Sequence, residues 1–350
     1  MLKRVFLSGL LLLVLVIGAA GIWLWQGFKT LEKPVTLAQP VLFEVAPGSS
    51  FSGVARQLEQ RGLLDDSLWL RLWGRLHRDR NLVQAGTYEF TGGDTALTMV
   101  DKMVSGDTKT WQVQFIEGWR FRDLRKALAA HGHLTRELTG LSDEDVMARL
   151  GHPDQHPEGR FFPDTYVFTG HESDLDILRR AYDRMQSILD EEWAGRADDL
   201  PYESAYEALI MASIVEKETG VPRERGQIAG VFVRRLEKGM RLQTDPTVIY
   251  GMGDDYDGNI TRRNLRTTTP YNTYRIAGLP PTPIALPGRE AIHAALHPEE
   301  GDTLYFVARG DGSHVFSRTF REHQNAVRQY QLQRRDDYRS SPPSSEAEQE

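Results

Sequence analysis

The longest uninterrupted apolar pattern of the chain lies at its N-terminus. After Lys3 and Arg4, the residues from Val5 to Phe28 include no charged side chain. About 24 residues at ~1.5 Å each extend roughly 36 Å as a helix, which is enough to cross the hydrocarbon core of a bilayer. The pattern therefore predicts a transmembrane helix over residues 5–28, preceded by a short N-terminus of residues 1–4.

A cleaved signal peptide is the alternative interpretation of this segment. Small residues at 18–20 resemble a cleavage site, but the apolar run continues through Trp25. Tryptophans at the far end fit the aromatic belt of a membrane interface. We therefore expect an uncleaved anchor, with residues 1–4 in the cytoplasm because they are basic and everything after Lys29 outside it.

Short alternating patterns follow the anchor. Residues 29–42 contain two prolines and predict an extended linker. Residues 43–108 predict strand, helix, helix, strand and helix, with Phe43 and Val45 on one face of the first strand and apolar positions at helical spacing over 51–58. A strand, a Pro-Gly-Ser turn and an amphipathic helix resemble a LysM-type glycan-binding module, and a generic α+β spacer is the alternative.

A larger domain is predicted over residues 109–330. A strand pattern around Trp111 leads into it, and a long helical pattern covers residues 173–192. Asp311-Gly312 between two β-rich runs indicates a hairpin. The polar residues 331–350 predict a disordered tail. The expected fold class is therefore α+β: a transmembrane helix, a small LysM-like module and a larger α+β domain.

Composition excludes several classes of function. The chain has 350 residues and a net charge of −7, which argues against nucleic acid as a partner because proteins that neutralise many phosphates carry a basic excess. It has no cysteine, so disulfides, thiolate metal sites and a cysteine nucleophile are excluded. His293 and His297 lie four residues apart but lack the acidic residue of a metalloprotease motif between them. We expect no metal and no cofactor.

A charged triplet ends the apolar helical pattern of "MASIVEKETG", residues 211–220. At 100° per residue, Glu218 falls above the apolar residues of the preceding turns, whereas Glu216 falls roughly opposite. A carboxyl group held against an apolar surface has a raised pKa, and a glutamic acid still protonated near neutral pH can donate to a leaving oxygen. The alternatives are a solvated helix end or a buried glutamate paired with Arg225 or Arg234.

Three further stretches carry hydrogen-bonding and aromatic side chains. Such sets suit sugars, because hydroxyls need amide and hydroxyl partners while apolar ring faces stack on aromatic rings. Turn and core roles are the alternative. The candidate sugar-binding residues are Gln243, Thr244, Asp245, Tyr271, Asn272, Tyr274, Glu158 and Phe162.

Several long motifs in one order resemble the YceG-like family of endolytic murein transglycosylases. They are "MASIVEKETG", "RLQTDPTVIYGMG", "YNTYRIAGLPPTPIALPG" and "HPEEGDTLYFVARGDGSHVFS", joined by "EGRFFPDTY" and "GRADDLPY". The resemblance spans nearly the whole chain to about Tyr330. The family's catalytic glutamate falls on Glu218, in agreement with the helical-face argument.

The resemblance implies cleavage of the β-1,4 bond between N-acetylmuramic acid and N-acetylglucosamine inside nascent peptidoglycan strands. Glu218 would serve as both acid and base, because the C6 hydroxyl of the muramic acid replaces water and forms a 1,6-anhydro end. A hydrolytic muramidase with Asp245 as the second carboxylate is one rival. A non-catalytic, membrane-tethered peptidoglycan-binding scaffold is the other.

The resemblance also implies a location and partners. The protein would be a single-pass protein of the bacterial inner membrane, with its catalytic domain over residues 109–330 in the periplasm. Its expected partners are the glycan strands of peptidoglycan, the membrane through the N-terminal helix and the peptidoglycan synthases.

Overall fold

Helices and short strands alternate along the computed structural model, which describes residues 2–332. The chain folds as two units, each described here by itself. The first runs to Trp111 and includes Val167–Glu172, and the second comprises Gln112–Tyr166 and the residues from Ser173 onward. The α+β class is confirmed. The predicted disordered tail, residues 331–350, lies outside the described residues from position 333 on.

The elements within the described residues have the following bounds. The helices are α1 (Leu2–Thr30), α2 (Phe51–Gln60), α3 (Ser67–Leu76), α4 (Ala96–Ser105), α5 (Phe121–Ala130), α6 (Asp143–Leu150), α7 (Asp174–Ala194), α8 (Ala205–Glu218), α9 (Arg225–Glu237), α10 (Asp245–Met252), α11 (Arg262–Arg266), α12 (Arg289–Leu296) and α13 (Phe320–Val327). Short 3₁₀ or π turns cover Arg78–Arg80, Pro222–Glu224, Gly253–Asp255 and Arg328–Leu332. The strands are β1 (Val41–Val45), β2 (Gly86–Phe90), β3 (Thr110–Gln114), β4 (Thr165–Thr169), β5 (Tyr305–Ala308) and β6 (His314–Ser317).

The strands form three two-stranded sheets, β1–β2, β3–β4 and β5–β6. In the first, Val41 lies opposite Phe90 and Val45 opposite Gly86, in antiparallel register. The pair β5–β6 is the predicted hairpin, and its strands are also antiparallel.

The first unit has a core between the β1–β2 sheet and the helices that follow it. Phe43 and Val45 are buried on one face of β1, as their alternation predicts. Helix α2 begins at Ser50, whose hydroxyl accepts a hydrogen bond from Gly53 N, and α3 begins at Asp66, which caps it in the same way. Local capping and alternation therefore explain why this segment folds as predicted.

Helix α1 is joined to this core at its C-terminal end. Residues Gly9–Thr30 are long and apolar enough to cross a membrane, by length and composition. Leu31, directly after the helix, is 2% exposed. The indole of Trp69 lies against Gly27, where an added Cβ would meet the ring at 2.2 Å. Glycine is required at that position because of this close approach.

The second unit is built around α8, which packs mainly against α12 and α9. Every residue of α8 from Ala208 to Val215 is buried. The hydroxyl of Ser213 donates to Ile210 O and accepts from Ile284 N, so even the polar residue in this stretch is satisfied internally. The core thus surrounds this stretch of α8 on all sides, and the charged residues at the end of the helix follow directly after it.

Candidate active site

Glu218 is the last residue of α8 and is half-buried. Its Oε1 accepts a hydrogen bond from the hydroxyl of Thr244. Burial raises the pKa of this carboxyl to about 7, against the lowering effect of the Thr244 hydrogen bond and with a further rise from the charge of Asp245. The group therefore exchanges a proton near neutral pH, as general acid–base catalysis requires.

A closed cycle of hydrogen bonds fixes Thr244. Its N–H donates to Thr273 Oγ1 at 3.0 Å, the Thr273 and Thr247 hydroxyls lie 2.8 Å apart, and Thr247 Oγ1 donates to Thr244 O at 2.8 Å. The Thr273 hydroxyl also lies 3.3 Å from Thr244 O, so either hydroxyl of the pair can donate to the other. All three residues are buried. The cycle leaves the Thr244 hydroxyl free to donate to Glu218.

Asp245 and Tyr274, which follow Thr244 and Thr273 in the chain, form a second hydrogen bond between the same two segments. The hydroxyl of Tyr274 donates to Asp245 Oδ1 at 2.7 Å. Burial raises the pKa of Tyr274, and the nearby charges of Asp245 and Glu218 add to that rise. The structure thus brings four predicted site residues together at the end of α8: Glu218, Thr244, Asp245 and Tyr274.

Gln243 precedes this group in an unusual backbone conformation. Its φ of 53° is one of two positive φ values among the described non-glycine residues. Its side chain is exposed, and its N–H donates to Thr273 O at 3.2 Å. A left-handed non-glycine residue costs about 1 kcal/mol or more and persists where surrounding contacts impose it, often at functional sites.

Arg235 and Thr247 were not identified from the sequence, whereas Thr273 lies in one of the stretches that the sequence analysis singled out. Arg235 is 7% exposed and donates to Leu242 O at 2.7 Å and to Leu304 O at 2.7 Å. Its charge lies close enough to lower the pKa of Glu218 slightly. Nothing in the sequence distinguishes Arg235 from its neighbour Arg234.

Glu216 corrects one sequence prediction. Its side chain is 7% exposed, it accepts a hydrogen bond from Gly288 N at 3.1 Å, and Arg225 Nη2 lies 4.0 Å from its Oε1. The expectation that only Glu218 turns toward buried surroundings is wrong, because α8 is buried on every side. Arg225 thus lies near Glu216 while it donates a hydrogen bond to Glu290, and the described residues include no ion pair to Glu218.

Asn272 lies beside the group but is engaged internally. It is 1% exposed. Its Nδ2 donates to Asn264 O at 3.1 Å and to Thr267 O at 2.5 Å, and its Oδ1 accepts from Tyr274 N at 3.0 Å. Asn272 thus braces the loop that carries Thr273 and Tyr274.

The remaining predicted residues belong to a second cluster. Glu158 is 5% exposed and accepts hydrogen bonds from Phe121 N at 2.9 Å and from the Tyr250 hydroxyl at 3.0 Å. Burial raises its pKa to about 7. Tyr271 packs on Tyr250 with ring centroids 4.8 Å apart, and Phe162 is a buried core residue. Helix α10 connects the clusters, since it begins beside Glu218 and carries Tyr250.

Two histidines and a glutamate form a compact polar cluster elsewhere in the second unit. The candidate ligand atoms of Glu192, His293 and His297 lie within 4.8 Å of one another. His293 Nδ1 lies 2.8 Å from Glu192 Oε2, His297 Nε2 lies 2.8 Å from Gly195 O, and the rings stack at 4.2 Å. Imidazole binds metals in its ring plane, so stacked rings do not converge on one ion, and we assign no metal here.

Comparison with known proteins identifies the family of the chain. A model of the YceG-like family matches residues 43–329. The chain belongs to the YceG-like family. The resemblance inferred from the motifs is therefore confirmed.

The relatives of the chain differ in how much of its length they share. An endolytic murein transglycosylase of Bacillus subtilis (strain 168) is 31% identical over 333 residues, covering 90% of this chain and 91% of the relative. One from Streptococcus pneumoniae serotype 2 (strain D39) is 32% identical over 164 residues, 43% of this chain and 28% of the relative. A crystal structure of a yceG-like protein from Listeria monocytogenes has a TM-score of 0.52 and 29% identity, covering 82% of this chain and 99% of that one.

Proposed function

We propose that this YceG-like protein is a peptidoglycan lytic transglycosylase in which Glu218 is the single acid and base. The activity is supported by the relatives named endolytic murein transglycosylases, of which the Bacillus protein aligns over nine-tenths of both chains. Its substrate is the β-1,4 bond between N-acetylmuramic acid and N-acetylglucosamine within a glycan strand.

In the first step, protonated Glu218 donates its proton to the glycosidic oxygen. The bond between that oxygen and C1 of the muramic acid breaks, and the electron pair leaves with the oxygen as a hydroxyl group on the N-acetylglucosamine. Positive charge develops at C1 as in other glycoside cleavages. The N-acetyl group of the substrate can stabilise that charge.

In the second step, the Glu218 carboxylate takes the proton of the C6 hydroxyl while O6 forms a bond to C1. The product is a 1,6-anhydro muramic acid end. The proton lost in the first step is regained in the second, so one carboxyl suffices and no water is consumed.

The observation that carries this proposal is the placement of the Glu218 carboxyl, which ends the buried helix α8 and accepts the hydrogen bond of the Thr244 hydroxyl. A pKa of about 7 lets the same group be acid and base at physiological pH. Thr244 engages Oε1, which leaves Oε2 to face the sugar. Within residues 2–332 no arginine or lysine forms an ion pair with Glu218, so no ion pair stabilises its charged form against protonation.

We assign the sugar contacts to the groups beside Glu218. Gln243, Asp245 and Tyr274 offer amide, carboxylate and hydroxyl partners there. Tyr271 would line the region along α10, where it packs on Tyr250, and Glu158 would hold Tyr250 from its buried position. Phe162 is buried and would support this region from the core. Thr244 and Asn272 position the site through the internal bonds described above.

The decisive experiment compares digestion products of the parent with those of Glu218→Gln. The amide keeps the shape but cannot transfer the proton, so we expect a loss of about 10²–10⁴-fold in rate. Mass spectrometry of digested glycan should show 1,6-anhydro ends from the parent. Glu216→Gln is the matched control, since its amide oxygen can still accept from Gly288, and it should retain most of the activity.

Two outcomes would replace the proposal. Asp245 lies near enough for its charge to raise the Glu218 pKa, so reducing ends in place of anhydro ends would assign a hydrolytic muramidase with Asp245 as second carboxylate. Binding of glycan strands without cleavage, together with full complementation by Glu218→Gln, would assign a non-catalytic scaffold.

The proposed location follows from α1. We propose that α1 anchors the protein in the inner membrane with its N-terminus in the cytoplasm and the catalytic residues in the periplasm, because Lys3 and Arg4 precede the apolar segment. Peptidoglycan synthases of the same membrane are the proposed protein partners.

A further inference from the structure

Helix α3 carries an apolar stripe that the first unit leaves partly uncovered. Leu68, Leu72 and Leu76 recur every four residues and therefore share one face of the helix. Leu76 is 71% exposed and Leu68 is 36% exposed, while Leu72 is half-buried. Single exposed leucines are ordinary, but here Leu68 and Leu76 flank Leu72, which also packs against the core, so the three form one apolar patch with exposed ends.

Basic residues border this stripe. At 100° per residue, Arg71 and Arg75 lie along one edge of the stripe, and Trp69 and Trp73 lie along the other, where they are buried in the core. Arg78 and Arg80 follow in the next turn, on either side of Asp79. The helix therefore presents, in order around its surface, a core-facing side, an uncovered apolar stripe and a cationic edge.

The same helix lies against the end of α1. Trp69 contacts Trp23 edge-on, with ring centroids 4.6 Å apart, and contacts Phe28 at 5.9 Å. Trp23 lies within Gly9–Thr30, the segment that is long and apolar enough to cross a membrane. It precedes Thr30 by seven residues, about 10 Å of helix. Helix α3 thus lies beside the last turns of the apolar segment, where an anchored helix leaves the hydrocarbon.

We propose that the α3 face, meaning Leu68, Leu72 and Leu76 with Arg71 and Arg75, lies in the headgroup layer of the bilayer that holds α1. Its ligands are anionic phospholipids. The leucines enter the boundary with the acyl chains, and the guanidinium groups reach the phosphates. Contact with α1 and the cationic edge favour lipid over a protein as the partner. The inference depends on α1 being the anchor and not on the role of Glu218.

A chain of 350 residues without cysteine can be labelled at one chosen position. In the full chain, Leu76→Cys carrying an environment-sensitive fluorophore is placed in phosphatidylcholine vesicles, with or without phosphatidylglycerol, that contain lipid brominated on its acyl chains. Asp101→Cys, at an exposed position of α4 in the same unit, is the control. We expect quenching at position 76 about threefold stronger than at position 101.

A second experiment tests the contribution of the two arginines by combining Arg71→Gln and Arg75→Gln with Leu76→Cys. Each arginine near an anionic surface adds to the attraction, so the pair should lower the ratio of docked to undocked α3 about thirtyfold in phosphatidylglycerol vesicles. In pure phosphatidylcholine the substitution should change little. Unaltered circular dichroism would show that the unit remains folded.

Two results would overturn the inference. Equal quenching at positions 76 and 101 in both kinds of vesicle would show that the face does not reach lipid. Protection of the label that appears only as the protein-to-lipid ratio rises, without acyl-chain quenching, would assign the face to a second copy of the chain.

Discussion

Thr244 stands at the residue before α10, where a threonine side chain ordinarily accepts a hydrogen bond from the first turn of its own helix. Here no such cap bond forms, and the hydroxyl donates to Glu218. A cap stabilises a helix by about 1 kcal/mol. Helix α10 lacks this stabilisation because the Thr244 hydroxyl binds the Glu218 carboxyl instead. Departures from local preference of this kind are expected at functional sites.

Thr273 offers a direct test of the cycle that holds Thr244. Thr273→Val removes the hydroxyl and leaves the Thr244 N–H without its buried acceptor. We expect kcat to fall about tenfold through misplacement of the Thr244 hydroxyl, with KM little changed. Because the Thr244 hydrogen bond lowers the Glu218 pKa, the basic limb of the kcat/KM profile should move to higher pH.

Thr273→Ser is the matched control, since it restores the hydroxyl and should recover both the rate and the pH profile. If the Thr273→Val protein is less stable but the basic limb of its kcat/KM profile stays at the parent's pH, the cycle contributes to stability alone.

Sequence reasoning could point to Glu218 and to Thr244 as candidates, but not to the contacts that join them. Glu218 stands out in the sequence because it ends a contiguous run of apolar residues. Thr273 lies 29 residues from Thr244, and Arg235 reaches backbone 69 residues away at Leu304. Such contacts depend on how separate elements pack, which a single sequence does not show.

At the scale of elements, α8 shows where helical periodicity fails. Amphipathic helices such as α2 reveal their buried face because the opposite face is polar, and the hairpin reveals itself through its turn residues. Helix α8 is apolar around its whole circumference, so no face stands out. That is why the helical wheel ranked Glu216 as the outward residue although the structure buries it with Arg225.

The junction of α1 and α3 yields an element-scale prediction. Gly27→Ala places a methyl group 2.2 Å from the Trp69 ring, so the ring must move. We expect a loss of about 1–3 kcal/mol in the stability of the first unit, as in other overpacked sites. Urea unfolding of the full chain in detergent micelles, followed by tryptophan fluorescence, measures it.

Gly21→Ala is the control on the same helix, because a Cβ there meets nothing within 4 Å. It should be neutral or slightly stabilising, as alanine favours helix over glycine. Equal unfolding curves for the two variants would contradict the close packing of Trp69 on α1.

At the scale of the whole molecule, buried carboxyls make stability depend on pH. Burial raises the pKa of Glu158 and of Glu218 from 4.5 to about 7. Each folded carboxyl holds its proton more tightly than the unfolded one does. The associated stability is therefore fully present below about pH 4.5 and is lost as pH rises through 7.

Glu158→Gln should remove its part of this dependence. Between pH 5 and pH 8 the stability of the variant relative to the parent should rise, by up to about 3 kcal/mol, since the amide never ionises. Urea unfolding at the two pH values measures the difference. Glu203→Gln, at an exposed position, controls for the loss of one negative charge. A constant difference across this range would contradict the burial of Glu158 as an uncharged acid.

The course of the chain between the two units has an evolutionary consequence. Since Val167–Glu172 belongs to the first unit, the backbone passes from one unit to the other after Trp111, again after Tyr166 and once more after Glu172. A single genetic crossover near residue 111 would transfer the first unit without Val167–Glu172. The two parts are therefore expected to be inherited as a pair, and a transplanted module would need its six-residue insert supplied separately.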